Sequence, residues 1–214
     1  MDEMLPIHIR LDPKTHLPLF DIFGALYTPV GFLRILKATS DWRVDAAADR
    51  TFRLTMPHAD LILTEPKACL MCLEWSMWKK YYLPPFSLED LTVLDVGAGC
   101  GETAALLFMA GARNVICIEP AEKEAELLAA NIKRNGWNAE LRSRPFEPED
   151  AMARIDFMKM DCEGCEESLL TLDKLPPSVV EVHSPELRRA LMSNFNMKET
   201  KRISDCVSLL SSLQ

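Results

Sequence analysis

The chain is 214 residues long, 48% hydrophobic and 26% charged, which suits one ordinary domain, or a domain with an extension, and excludes disordered and fibrous classes. Acidic residues outnumber basic ones by 32 to 24, for a formal charge of -8, so no global basic field gathers phosphates and a nucleic-acid coat protein is disfavoured. Seven cysteines, an odd number with several in core-like segments, fit a reducing cytoplasm better than a disulfide scaffold. Residues 1–10 carry charges where a secretory leader needs an apolar stretch. The longest charge-free apolar run, residues 22–33, is 12 residues, against about 20 for a membrane span, so no membrane association is expected.

The chain holds no internal repeat. Residues 17–36, broken by Gly24, Pro29 and Gly31, read as one or two short helices, and the alternation of Phe52, Leu54, Met56, Leu61 and Leu63 predicts a hairpin over residues 51–64. Glu65–Tyr81 reads as a helix, with Pro66 in its first turn and Leu70, Leu73, Met77, Trp78 and Tyr81 at helical spacing. Its aromatic residues, Tyr82 included, are an apolar face or a cover for a ligand pocket. Pro84-Pro85 then marks a connector, so residues 1–82 form an N-terminal extension or cap and residues 83–214 the main domain. Beyond it short strands alternate with helices. Strands are expected over Thr92–Val96, Asn114–Ile118, Ala139–Arg142 (an edge), residues 155–160 and Ser178–Val182. Helices are expected over residues 103–110, Glu122–Asn135, residues 166–172 and from Ser184-Pro185 to Phe195. Residues 197–213 read as two strands joined at Ser204-Asp205. This alternation predicts an α/β fold with a mostly parallel sheet, helices on both faces and an antiparallel C-terminal hairpin.

The strongest chemical signal is Val93-Leu94-Asp95-Val96-Gly97-Ala98-Gly99-Cys100-Gly101-Glu102. A buried strand running through glycines into a helix presents backbone amides to a ligand, usually a nucleotide-like cofactor; the competing reading is a tight turn without a ligand. A dinucleotide fingerprint needs a third glycine where this chain has Glu102. That carboxylate, with Asp95 before the turn, repels a pyrophosphate and suits a cationic, phosphate-free ligand such as S-adenosylmethionine. Glu119, 18 residues after Gly101, ends the next strand where an acid accepts ribose hydroxyls; otherwise it is a solvated strand end.

These residues make the sequence resemble the class I S-adenosylmethionine-dependent methyltransferases, and among them the FkbM-like family, from about Tyr82 onward. The resemblance rests on residues 94–98 with Gly101, Glu119-Pro120, Asn131 and Asn135, Ile155-Asp156, Lys159-Met160-Asp161-Cys162-Glu163-Gly164 and Val180-Glu181-Val182-His183. It implies a Rossmann-like, doubly wound sheet of seven strands whose last is antiparallel. It also implies that Asp95, Gly97, Gly99 and Gly101 line the methionine and ribose of the cofactor, that Glu119 takes the ribose hydroxyls, and that adenine lies near Pro120, against Phe146. The chain departs from the family at Gly99-Cys100, and residues 1–80 match no motif.

Asp161, Glu163 and His183 fall at the carboxyl ends of the fourth and fifth strands of that sheet, where a transferred methyl group would face its acceptor. His183 suits the base that a hydroxyl acceptor needs and Asp161 its helper; the plainer reading of His183 is a strand-end residue that opens the next helix. Two carboxylates do not by themselves make a cation site, so no metal is assigned. Cys69-x-x-Cys72 and Cys162-x-x-Cys165 have zinc-ligand spacing but lie on a helix and in a site loop, so coincidence is preferred over a zinc site and over a reversible redox pair. The expected protein is a cytoplasmic methyltransferase acting on an oxygen of a small molecule. Its rivals are a non-catalytic interaction module of the same fold, an RNA or protein methyltransferase, and a nicotinamide-dependent oxidoreductase.

Overall fold

The structure is a computed structural model that describes residues 7–11, 18–22, 25–27, 39–47 and 49–212. The chain begins with an antiparallel sheet of three strands, β1 (Ile7–Leu11), β2 (Pro18–Ile22) and β3 (Ala25–Tyr27). This corrects the expected helix for the part of residues 17–36 that is described; the remainder lies outside the described residues. The reason is non-local. β2 pairs with β1, Ile22 opposite Ile7, and folds back on β3, Ile22 opposite Ala25, so backbone groups find partners across strands rather than four residues away.

A second antiparallel sheet holds β4 (Arg43–Ala46), β5 (Thr51–Met56) and β6 (Ala59–Thr64), the last two forming the expected hairpin. Helix α1 (Glu65–Tyr81) follows directly and buries Ala68, Met71, Cys72, Trp75 and Trp78. The buried stripe meets the expected one at Trp78 but not at Leu70 and Met77. Leu70 and Met77 are exposed to 40% and 37%, and they line a cavity described below.

The main sheet has seven strands, from one edge β9 (Ala139–Arg142), β8 (Asn114–Ile118), β7 (Thr92–Val96), β10 (Phe157–Met160), β11 (Ser178–Val182), β13 (Ser208–Ser211) and β12 (Lys198–Arg202). All neighbours are parallel except β13, which runs antiparallel to both β11 and β12. The hairpin read from the sequence therefore inserts its last strand inside the sheet. Helices α2 (Glu102–Met109), α3 (Glu122–Asn135) and α4 (Pro185–Phe195) complete the layers. The expected helix over residues 166–172 is a 3-10 turn, Cys165–Thr171. Ser184 starts α4 as foreseen, its hydroxyl accepting the Leu187 N–H at 3.3 Å. No helix among the described residues is long and apolar enough to cross a membrane.

Strand alternation divides the core in two. Val93, Val115, Cys117, Phe157 and Val179 share one core with α1, α2 and the β5–β6 hairpin; Leu94, Val96, Ile116, Met158, Val180 and Val182 face the other, with Leu191 of α4. On the first face the alternation continues toward the strands' C-terminal ends as Asp95, Lys159 and Glu181. Polar residues there replace the hydrophobes that a purely structural strand would carry.

Asn131 and Asn135 dock α3 on the edge of β6. Asn131 accepts the Ile62 N–H and donates to the Ile62 and Cys100 carbonyls, each at 2.8 Å. Asn135 does the same for the Asp60 N–H and C=O, at 2.8 and 2.9 Å. Two amides thus act as a substitute strand, and Asn131 ties the glycine turn to the N-terminal hairpin.

Candidate active site

The turn that leaves β7 is shaped by close approach. Gly97 has φ +72°, and a Cβ there would collide with the Asp161 carbonyl oxygen. At Gly99 a side chain would collide with the Glu102 carboxylate, and at Gly101 (φ +101°) it would stand 2.9 Å from Leu128.

Carboxylates occupy amides that a phosphate would otherwise use. Gly99 N–H donates to Glu119 at 2.8 Å, and Cys100 N–H to Glu102 at 2.9 Å. Glu119 also accepts the Ala121 N–H at 2.9 Å. Glu102 is buried and 3.3 Å from the ammonium of Lys67 on α1. Burial pushes the Glu102 carboxyl up, opposed by Lys67.

Asp95 lies beneath the turn, wholly buried. Its Oδ2 accepts the Thr103 hydroxyl at 2.6 Å, and Lys159 Nζ stands 3.2 Å from Oδ1, off the hydrogen-bond direction. Lys159 is 1% exposed, donates to the Gly97 carbonyl at 3.1 Å and sits over the Tyr82 ring. Burial alone would lower its pKa; Asp95 and Asp161 more than offset this and hold it raised.

The ends of β10 and β11 bring a second group of side chains together. The Tyr82 hydroxyl lies 2.8 Å from Glu181 and 3.1 Å from Asp161. Burial, then the charge of Asp161, raises the Glu181 carboxyl to about 7. His183 Nδ1 is 2.9 Å from Glu166, a fully buried carboxylate, while Nε2 faces Glu163 at 3.4 Å and Glu181 at 3.7 Å. A carboxylate on Nδ1 fixes the proton there and leaves Nε2 as the acceptor in the neutral ring. Burial pulls the imidazole pKa down, but Glu166 and Glu163 raise it above the ordinary value overall. Donor atoms of Asp161, Glu181 and His183 lie within 4.8 Å of one another, close enough to share a divalent cation, although Tyr82 already bridges the two carboxylates.

Three cavities open on these groups: one of about 380 Å³ is lined by Glu166, His183 and Leu187, and the other two adjoin each other. One of this pair, of about 250 Å³, is lined by Val96, Ile118, Glu119, Pro120, Phe146 and the loop at Cys162–Cys165. The other, of about 260 Å³, is walled by Trp78, Tyr82, Asp161 and Glu181, with Leu70 and Met77 of α1. They share Lys67, Gly97 and Glu163. A larger cavity of about 670 Å³, near Phe86 and Pro177, lies at the opposite end of the sheet.

The ten residues assigned to the site from the sequence, Phe146 among them, therefore fall at one end of the sheet. Gly97, Glu119, Pro120 and Glu163 line the first cavity, Asp161 and Glu163 the second; Gly99, Gly101 and Asp95 shape the turn from behind, and His183 reaches Glu163 and Glu181. Lys67, Lys159, Glu166 and Glu181 were not foreseen as site residues, and Tyr82, read as part of an apolar face or a pocket cover, lines the second cavity with Trp78 and Tyr81. Lys159 and Glu181 did carry a signal, as charges inside otherwise apolar strands. Lys67 and Tyr82 come from the extension and its connector, which offered no motif. The two CxxC pairs do not meet: Cys69 and Cys72 are buried thiols, whereas Cys162 and Cys165 form a disulfide, which corrects the reading of coincidence for the second pair alone.

No family model matches the chain. Two curated relatives are viral. Uncharacterized protein 158B of Sulfolobus islandicus rod-shaped virus 1 is 27% identical over 101 residues, covering 47% of this chain and 63% of the relative. Uncharacterized protein 65 of Sulfolobus islandicus filamentous virus is 30% identical over 107 residues, covering 43% and 59%. The chain thus spans about three fifths of the length of the curated relatives it matches. Among solved structures, M. jannaschii TYW2 in complex with AdoMet superposes with a TM-score of 0.51 at 16% identity, covering 79% of this chain and 87% of that one. The T. thermophilus 16S rRNA N2 G1207 methyltransferase RsmC, in complex with AdoMet and guanosine, gives 0.51 at 17% identity, covering 81% and 50%. The chain has their Rossmann-like fold. At these identities the likeness is one of fold.

Proposed function

We propose that the protein is an S-adenosylmethionine-dependent methyltransferase of the FkbM-like type that methylates an oxygen of a small molecule in the cytoplasm. The observation that carries this reading is the pair of adjoining cavities at the C-terminal ends of the parallel strands, sharing Gly97, one bounded by Glu119 and the other by the carboxylate–tyrosine group Asp161, Glu181 and Tyr82, with His183 behind Glu181. Bound S-adenosylmethionine would supply an electrophilic methyl group on a sulfonium. The fit lies in the charge pattern: carboxylates, not free amides, face the turn, as a cationic ligand without phosphate requires.

In the first cavity Glu119 would accept the ribose hydroxyls through lone pairs that its two amide contacts leave open, and Pro120 and Phe146 would hold the adenine. Gly97, Gly99 and Gly101 let the backbone approach the methionine portion. Asp95 acts from below, setting the Gly97 carbonyl through Lys159. In the second cavity Tyr82, Asp161 and Glu181 would hold and orient the acceptor hydroxyl, the positioning on which such a displacement chiefly depends. His183, oriented by Glu166, takes the proton at Nε2, directly or through Glu181. A cavity of about 260 Å³ suits a small acceptor.

The test is a screen of hydroxylated metabolites with methyl-labelled S-adenosylmethionine. Label transfer to an oxygen that His183→Ala reduces by at least about 100-fold supports the reading. Transfer to nitrogen or carbon alone contradicts the oxygen assignment, and unchanged turnover in His183→Ala contradicts the base.

A further inference from the structure

We infer that Cys162 and Cys165 form a redox modification site that sets how tightly the protein holds its cofactor, the bridged form being the one competent to bind. The inference rests on the S-adenosylmethionine reading above.

Of seven cysteines only these two are joined; Cys69, Cys72, Cys100 and Cys117 are buried thiols and Cys206 is an exposed one. The chain is therefore rich in thiols, and its single bridge stands at the site. That bridge encloses only Glu163 and Gly164, so it restrains the unfolded chain less than a bridge across a long loop and connects no distant parts of the fold. Its effect is local.

The locality matters because of what the loop carries. Both cysteines line the cavity assigned to adenosine, opposite Glu119 and Pro120. Glu163 and Gly164, inside the bridge, have φ of +55° and +121°, a conformation that glycine tolerates and a glutamate does not favour. Closing the ring holds Glu163 in that conformation between the two cavities. On one side of the bridge the Asp161 carbonyl packs on Gly97. On the other, Glu166 follows Cys165 directly and holds His183. Opening the ring frees one wall of the adenosine cavity and loosens both attachments, so the cofactor must order the loop at its own expense.

Both sulfurs belong to half-buried residues, within reach of a small or protein dithiol. A thiolate of the dithiol attacks one cysteine sulfur, breaking the S–S bond and releasing the other cysteine as a thiolate that takes a proton. The second thiol of the reductant then displaces the mixed disulfide. The protein gains two electrons and two protons as two thiols, and the reductant leaves as its own disulfide.

The experiment compares calorimetric binding of S-adenosylhomocysteine to the full chain after oxidation with oxidised dithiothreitol and after reduction with dithiothreitol, with thiols counted by alkylation in denaturant. The expected result is five thiols in the oxidised protein and seven in the reduced, affinity about tenfold weaker when reduced, and full recovery on reoxidation. Cys162→Ser/Cys165→Ser should bind like the reduced protein and ignore dithiothreitol. The wild-type comparison stands whether or not that variant folds. Equal affinities in the two states, a tighter reduced state, or seven thiols after oxidation would overturn the inference while leaving the cofactor reading intact. Binding in neither state would overturn both.

Discussion

Replacing Lys159 with methionine keeps most of the side chain's volume and removes its charge from a place with almost no solvent. Asp95, wholly buried, would then keep only the Thr103 hydroxyl, and the Gly97 carbonyl would lose its 3.1 Å donor. Breaking a buried ion pair from one side costs about 3–5 kcal/mol, because the remaining charge stays desolvated and uncompensated. Against a typical domain stability of about 5–15 kcal/mol the loss is large. Urea unfolding followed by circular dichroism should show Lys159→Met destabilised by that amount with an unchanged m-value. The double variant Asp95→Asn/Lys159→Met offers a sharper test. Asparagine still accepts from Thr103 and carries no charge, so the double variant should be more stable than Lys159→Met alone, with a coupling energy of roughly 1–3 kcal/mol. A Lys159→Met loss below about 1 kcal/mol, or additive effects in the double variant, would refute the view that these two charges balance each other beneath the glycine turn.

Glu119→Ala should weaken S-adenosylhomocysteine binding by roughly 1–3 kcal/mol, since it removes an acceptor of ribose hydroxyls and leaves the Gly99 N–H without its carboxylate; unchanged affinity by calorimetry would remove Glu119 from the site. Turnover on an identified hydroxyl acceptor should rise with pH through a pKa above 6.5, because His183 must be neutral to take a proton and its carboxylate neighbours raise its pKa. Glu166→Gln should move that midpoint downward, and a profile with the same midpoint in both proteins would refute the assignment. Glu181 titrates in the folded state near 7, above its ordinary value of 4.5. The folded state therefore holds more protons than the unfolded state between those values, and stability falls as pH rises through the window. Unfolding measured across that range should show Glu181→Gln gaining stability relative to wild type as pH increases; a constant difference would contradict the raised pKa.

Much of this architecture is legible in the residues because local and long-range preferences agree. β7, β8 and β11 are short apolar runs that a sheet covered on both faces demands, and Gly136 and Ser184 mark helix boundaries through conformational freedom and capping chemistry. The N-terminal sheet is not legible, since the pairing of Ile7 with Ile22 depends on a partner that no local window contains. The face of α1 is misjudged for a related reason. Leu70 and Met77 have the spacing of core residues, yet the helix is rotated so that they border a cavity while Ala68, Met71 and Trp75 are buried. In the site, the turn and the strand-end acids are visible as motifs. Lys67 and Glu166 are not, and Tyr82 is visible only as a pocket-covering aromatic, because their polar roles arise from contacts such as Tyr82–Glu181, 99 residues apart. The cysteine spacing was visible, but only the geometry of residues 162–165 shows the pair bridged beside a cavity.

The central claim is that the cavity bounded by Glu119, Pro120 and Phe146 holds a cationic, phosphate-free nucleoside cofactor. Calorimetric titration of the oxidised full chain with S-adenosylmethionine, S-adenosylhomocysteine and NAD tests it most directly. The account predicts saturable binding of the first two, one per chain, and none of NAD; absence of binding to both S-adenosyl compounds, or preferential binding of NAD, would contradict it.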